Sequence, residues 1–262
     1  MARGRTERFI TGRLEGGSLR REPDTLIVEE PLSIRLDDVL IATTMRTPGH
    51  DFELAAGFCH AEGWLDGATI RRIRYCGEGP PAESEFNVVS VETDGKGPPA
   101  VPRLGVTSSA CGICGTEALE RLAGTLAPLP ETEPFEPAVL AAVPERMRGL
   151  EDLFGATGAV HAAGVADRSG DPLLVREDIG RHNAVDKVVG RLLLDGALPA
   201  TSLCLYVSGR ASFEMAQKAW AAGFSALVAV SAPSALAVQV ARRAGLQLGG
   251  FAREGAVRIY AD

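Results

Sequence analysis

The 262-residue chain reads as an α/β protein, α+β overall, with a small N-terminal α+β unit followed by an α/β layer. Three observations predict this. Residues 25–45 alternate apolar and polar positions, the pattern of a half-buried hairpin. From about residue 159 onward, strand-like runs alternate with helical ones, which predicts an α/β layer with a largely parallel sheet. Between the halves stand two connectors rich in proline, 95–103 and 127–137.

The elements follow in order. The Arg-rich start, residues 1–24, reads as a flexible tail. The small α+β unit is expected over 25–105. In it, Leu32, Ile34 and Leu36 share one face of a strand, an Asp37–Asp38 turn follows, and Val39 and Ile41 open the return strand. Thr47 and Pro48 suit a helix start, with Phe52, Ala55, Ala56 and Cys59 at helical spacing. Strands are expected at 70–76 and 86–93. A two-cysteine loop and a helix over 106–130 join the halves, and one helix is expected at about 136–154. The α/β layer over 131–262 then has strands at 159–166 and 172–177, the helix GRHNAVDKVVGRLLLDG, the strand LCLYVS, the helix SFEMAQKAWAAG, the strand ALVAVS, the helix SALAVQVARRAG, and two closing strands.

Composition narrows the function. Apolar residues make up 45% and charged residues 23%, which is ordinary globular usage. A net charge of −7 argues against a general nucleic-acid binder. No apolar run approaches the roughly 20 residues that span a bilayer, and the basic start has no apolar core like that of a secretory signal. Five cysteines make a complete disulfide framework unexpected. The expectation is a cytoplasmic protein with reduced thiols and no nucleic-acid or membrane partner.

The sharpest local feature is Cys111-Gly-Ile-Cys114-Gly115. It precedes a helix expected to start near Thr116, whose N-terminal partial charge would favour a thiolate. The glycines leave the sulfurs accessible. A single pair is only half a structural zinc site, and the strand–CxxC–helix setting of a thioredoxin is not evident. The reading is therefore a nucleophilic loop suited to disulfide or persulfide chemistry. His60-Ala-Glu62 followed by these cysteines imitates a zinc deaminase, but Ala110 stands where proline is expected and His60 falls inside a helix. Cys59, Cys76 and Cys204 read as buried small hydrophobes, and Met215 and Trp220 as core.

Three strand ends feed polar turns that open helices: Arg176–Asn183, Ser208–Ser212 and Ser231–Ser234. Ligands of open α/β sheets sit at the carboxyl ends of strands, and helix N-termini hold anions. His182, Ser208, Gly209, Arg210 and Ser231 are thus candidates for binding a phosphate-bearing or nucleotide ligand. The plainer role of such residues is helix capping. Asp178 and His182 suit either an acid/base pair or capping and hydrogen bonding. The stretch Gly249–Gly255 is either a ligand edge, with Phe251 as a stacking face and Arg253 as a cation, or a plain hairpin turn.

The stretches TPGHDFELAAGF, SSACGICG, REDIGRHNAVDKVVG, SGRASFEMAQKAWAAG and SAPSALAVQVARRAGLQLGGFAR together resemble the formate dehydrogenase accessory sulfurtransferase family, FdhD. The resemblance implies a sulfur carrier that accepts persulfide sulfur from a cysteine desulfurase. It implies delivery to the bis-molybdopterin guanine dinucleotide molybdenum cofactor of a formate dehydrogenase. Carried over by motif, Cys111 is the persulfide-bearing residue and Cys114 its partner. Phe251, Ala252, Arg253, Glu254, Gly255 and Ala256 then belong to the cofactor-binding region. The family's second half implies a cytidine-deaminase-like α/β domain without the zinc site, hence no structural metal. A homodimer is compatible with such a site. The alternatives are a non-catalytic cofactor-binding chaperone and a zinc deaminase.

Overall fold

A computed structural model describes residues 4–76, 86–95, 97, 120 and 124–262. The two cysteines of the Cys-x-x-Cys motif, and the helix expected after them, lie outside the described residues.

The chain starts with strands β1 (Thr6–Glu15) and β2 (Ser18–Ile27), paired antiparallel over their whole length. This corrects the expected flexible tail. Gly16 and Gly17, both at positive φ, close a tight two-residue turn whose twist matches the strands. Strands β3 (Glu30–Leu36) and β4 (Val39–Arg46) form the expected hairpin. Its Asp37 and Asp38 both take positive φ. The Asp37 carboxylate accepts from Thr93 N–H at 2.6 Å and Gly95 N–H at 3.2 Å, contacts that hold this unfavourable turn. With β5 (Arg72–Tyr75) and β6 (Val88–Glu92) they make a four-stranded sheet in the order β4-β3-β6-β5.

Helix α1 (Asp51–Ala61) starts four residues after Thr47, later than expected, because Thr47 has another task described below. Nearly all of α1 is buried. Leu54, Ala55, Phe58 and Cys59 pack on the four-stranded sheet. The opposite side meets α4 (Arg181–Leu194), and there Gly57 faces Gly190. A Cβ on Gly57 would stand 1.9 Å from the Asp186 carbonyl oxygen, and one on Gly190 would stand 1.8 Å from that of Glu53. The two helices therefore touch backbone to backbone.

The expected single helix at 136–154 is two: α2 (Pro137–Arg148) and α3 (Asp152–Thr157), separated at Gly149–Glu151. Strands β7 (His161–Ala166), β8 (Pro172–Asp178), β9 (Cys204–Val207), β10 (Ala226–Ala229), β11 (Gln247–Arg253) and β12 (Ala256–Ala261) form a six-stranded sheet in the order β12-β11-β10-β9-β7-β8. It is mixed, correcting the expected largely parallel sheet. Only β9-β10 and β10-β11 run parallel, across the crossovers through α5 (Phe213–Ala221) and α6 (Ala235–Ala244). The tight connections β7–β8 and β11–β12 force antiparallel pairing.

Alternate residues of the same strands feed two cores. Leu205, Val207, Leu227 and Ala229 pack under α4, α5 and α6, with Met215 and Trp220 buried as expected. Cys204, Tyr206, Ala226 and Val228 pack under α2, against Leu140, Val143 and Met147. The layers thus run four-stranded sheet, α1, the α4–α6 layer, six-stranded sheet, α2. No helix among the described residues is long and apolar enough to cross a membrane.

The glycine crossing yields a clean comparison. Gly57→Ala should destabilise the protein by about 3 kcal/mol, because backbone cannot give way to the new methyl. Gly155→Ala, in α3 with nothing within 4 Å of the added Cβ, should stabilise it by about 0.5 kcal/mol. Urea midpoints of the two variants read this difference.

Candidate functional site

At the edge where β9, β10 and β11 end, β8 also ends, and the antiparallel β7 and β12 begin. All three polar turns and the β11–β12 hairpin therefore lie along one side of the sheet. Main-chain hydrogen bonds run along this side from β7 to the hairpin. Ser208 N–H donates to Ala162 O at 2.9 Å, Ser231 N–H to Gly209 O at 3.2 Å, and Phe251 N–H to Ser231 O at 3.1 Å. The Ser208 hydroxyl accepts from Ala162 N–H at 2.9 Å. His182, at the start of α4, meets the carboxylate of Glu214 in the first turn of α5. The edge thus brings together His182, Ser208, Gly209, Ser231 and Phe251, with Arg210 exposed beside them.

The capping alternative applies to one turn of the three. Ser234 caps α6, its hydroxyl accepting from Ala237 N–H at 3.1 Å. Gly180 and Ser212, which precede α4 and α5, make no side-chain cap. Instead Arg181 Nε and Ser212 Oγ are buried and lack a hydrogen-bond partner among the described residues. Unpaired buried donors are costly, and this edge carries two of them. His161, beside Gly209 at the head of β7, is held below the usual histidine value by burial and by the nearby Arg181 and His182.

Phe251 takes a positive φ of 52°, rare for an aromatic residue, within an irregular stretch of the β11–β12 pairing. The guanidinium of Arg258 lies 4.9 Å from its ring centre. Gly250 makes this bend possible, since a Cβ there would meet Pro233 at 2.8 Å. Ala252 is buried in the sheet core, so its contribution to the edge is backbone only. Arg253, Glu254, Gly255 and Ala256 are exposed at the hairpin tip.

Of the two roles open to Asp178, hydrogen bonding is the one its surroundings match: it is a buried structural hub. It is fully buried and pairs with the buried Lys187 at 2.6 Å. Its carboxylate also accepts from Gly180 N–H at 2.8 Å, Asn183 Nδ2 at 3.0 Å and Thr47 N–H at 3.2 Å. Lys187 donates to Thr47 O at 3.0 Å, and Ile179 N–H donates to Thr47 Oγ1 at 3.1 Å. Asn183 reaches Met45 O at 2.7 Å. These bonds tie the turn before α4 to the end of β4. A second bridge, from β8 to α1, is the forked pair of Arg176 with Glu53, at 2.6 and 2.9 Å. Burial opposes ionisation of Glu53, but the bonds from Arg176 and His50 prevail and hold its pKa at about 2.

The histidine of the deaminase imitation has a partner elsewhere. His60 lies inside α1 with its Nε2 3.0 Å from the carbonyl of Ala221, a contact between helices. No cluster of three metal-ligating side chains occurs among the described residues. Cys59 and Cys204 are buried, with burial raising the Cys59 thiol to about 12 and Cys204 higher still; Cys76 is half-buried. The residues that sequence reading missed are Thr47, Arg181, Lys187, Glu214 and Arg258. Arg181 lies within a turn already singled out, whereas Lys187 and Glu214 sit in ordinary helical positions whose partners are distant in sequence.

Comparison with known proteins places this mixed α/β architecture. A crystal structure from Desulfotalea psychrophila, described as a formate dehydrogenase accessory protein, superposes with a TM-score of 0.79 at 24% identity, covering 99% of this chain and 98% of that one. The model of the FdhD/NarQ family matches residues 27–262, and the chain belongs to that family. Among its relatives, the sulfur carrier protein FdhD of Streptomyces avermitilis is 46% identical, over 98% of this chain and 94% of that protein. The sulfur carrier protein FdhD of Nocardia farcinica is 47% identical, over 93% and 88%.

The Asp178 hub predicts a specific energetic pattern. Asp178→Asn or Lys187→Met alone should cost about 3–5 kcal/mol, because each leaves a buried charge unpaired. The double variant should cost clearly less than the sum, as a double-mutant cycle by chemical denaturation will show.

Proposed function

We propose that this protein is a sulfur carrier: it accepts persulfide sulfur from a cysteine desulfurase on Cys111 and transfers it to the bis-molybdopterin guanine dinucleotide molybdenum cofactor used by a formate dehydrogenase. Family membership and the sulfur-carrier relatives support the reading. The structural observation that carries it is the polar edge, where Arg181 Nε and Ser212 Oγ stand buried with no partner among the described residues, beside two helix starts without a side-chain cap. Helix N-termini and a guanidinium suit the phosphates of a dinucleotide, and Phe251 offers a face for a base. In this reading the cofactor is the acceptor substrate, bound by His182, Ser208, Gly209, Arg210, Ser231 and the Phe251–Ala256 hairpin. The six-stranded order, with its first two strands antiparallel to their neighbours, supports a deaminase-like second half.

The first step conserves atoms and charge. The Cys111 thiolate attacks the outer sulfur of the donor persulfide, the donor S–S bond breaks, and the donor leaves as thiolate. To depart as sulfide the carried sulfur takes up two electrons. Cys114, three residues on, can supply them by closing a disulfide on Cys111. This chemistry needs reduced thiols, so the proposed compartment is the cytoplasm.

Incubation with a cysteine desulfurase and cysteine, followed by intact mass and peptide mapping, tests the carrier role. One or more sulfur atoms, removable by reductant, should appear on Cys111 and be lost in Cys111→Ala. No added sulfur with an active donor would instead favour a cofactor-binding chaperone. Separately, Phe251→Ala should weaken binding of a guanine nucleotide by about tenfold, read by calorimetry, since stacking on one aromatic is worth about 1–3 kcal/mol.

A further inference from the structure

The electron balance of sulfur transfer turns on which thiols of the chain can take part. The sulfur of a persulfide is sulfane sulfur, an electron pair short of sulfide. Every sulfur released as sulfide therefore draws one electron pair from a donor. The chain has five cysteines. Cys111 and Cys114 yield one electron pair when they close on each other, and that pair serves one sulfur. A second sulfur needs a second source.

The three cysteines among the described residues are not that source. All are free thiols. Cys59 and Cys204 are fully buried, Cys59 among Leu54, Ala55 and Phe58 and Cys204 among Tyr206, Ala226 and Val228. Thiol–disulfide exchange requires the attacking sulfur to reach its target, so neither takes part while the fold is intact. Cys76 is half-buried just past β5, its N–H bonded to Val88 O at 2.9 Å. With Cys59 and Cys204 out of reach it has no accessible described thiol to pair with. Its attack on a Cys111–Cys114 disulfide only trades one disulfide for another, and the chain stays as oxidised as before.

We propose that each sulfur delivered as sulfide leaves the chain oxidised at Cys111–Cys114, and that thiol–disulfide exchange with an external dithiol follows before the next sulfur is accepted. This inference rests on the sulfur-carrier reading and adds a class of partner to it, a dithiol reductant. The steps balance. The Cys114 thiolate attacks Cys111 Sγ, the bond from that sulfur to the carried one breaks, and the carried sulfur leaves as hydrosulfide with a proton from water. In the reset, one thiolate of the dithiol attacks the Cys111–Cys114 bond, forming a mixed disulfide and freeing one cysteine. The second thiolate of the dithiol then attacks the mixed disulfide, frees the other cysteine and closes the oxidised reductant. A reductant with two neighbouring thiols completes this in one encounter, whereas a monothiol needs two.

The test loads the full chain from a persulfide-bearing desulfurase freed of cysteine, then holds it without any thiol. About one sulfide per loaded chain should appear, with the chain two hydrogens lighter than its reduced form and Cys111 joined to Cys114 in the peptide map. That chain should refuse a second loading until dithiothreitol is added. Cyanide removes sulfane sulfur as thiocyanate and draws no electron pair from the thiols, so a chain unloaded by cyanide should reload at once without reductant. Cys114→Ala should keep its sulfur, release no sulfide and still yield thiocyanate, and Cys76→Ala should behave as wild type. Sulfide released while Cys111 and Cys114 both remain open to alkylation would overturn the proposal, as would reloading after sulfide release with no reductant present. A chain that loads and then keeps its sulfur overturns this inference alone. A chain that never takes up sulfur from an active donor sinks the carrier reading itself, and this inference with it.

Discussion

One buried carboxylate organises much of this molecule. Asp178 sits where a strand of the six-stranded sheet turns into α4, and its charge is answered by Lys187 further along that helix. An ion out of water is tolerable only when its remaining lone pairs are also filled. Here the filling donors come from both ends of the problem: the turn itself and the end of β4. The same bonds that neutralise the charge therefore set where α4 begins. Arg181 and His182 take their positions on the polar edge from that start. The glycine contact between α1 and α4 then leaves the two sheets no freedom to slide.

The edge itself is built from backbone more than from side chains. Main-chain hydrogen bonds run from β7 through the second and third turns to the β11–β12 hairpin, so residues nearly a hundred positions apart form a continuous rim. A rim made this way loses little freedom when a ligand settles on it. Side-chain donors without a partner among the described residues gather here, and the strained backbone at Phe251 fits the tendency of strain to gather at functional sites.

Much of this was legible in the sequence. Alternation and helical spacing located most elements, and the three turns were recognisable because serine, glycine and arginine cluster at strand ends. Other features were not legible, for physical reasons. The first hairpin was hidden by its arginines, which suggested a solvated tail, although Gly16-Gly17 between two ten-residue runs was the turn signal. Parallel and antiparallel neighbours look alike in a buried strand, so the mixed sheet emerged only from the pairing. Asp178 resembled a catalytic acid because its partners Thr47 and Asn183 belong to different units of the chain. The long-range fork of Arg176 on Glu53 leaves no periodic trace at all.

The depth of two cysteines has a chemical consequence. Cys59 lies against the four-stranded sheet and Cys204 within the six-stranded one, both protonated at any physiological pH. A thiol neither ionised nor reachable cannot attack a persulfide or be capped by an oxidant. A protein that handles loosely held sulfur would be poisoned by side traffic to its own interior. By sinking these thiols into hydrocarbon, the fold keeps them out of any thiol exchange at its surface.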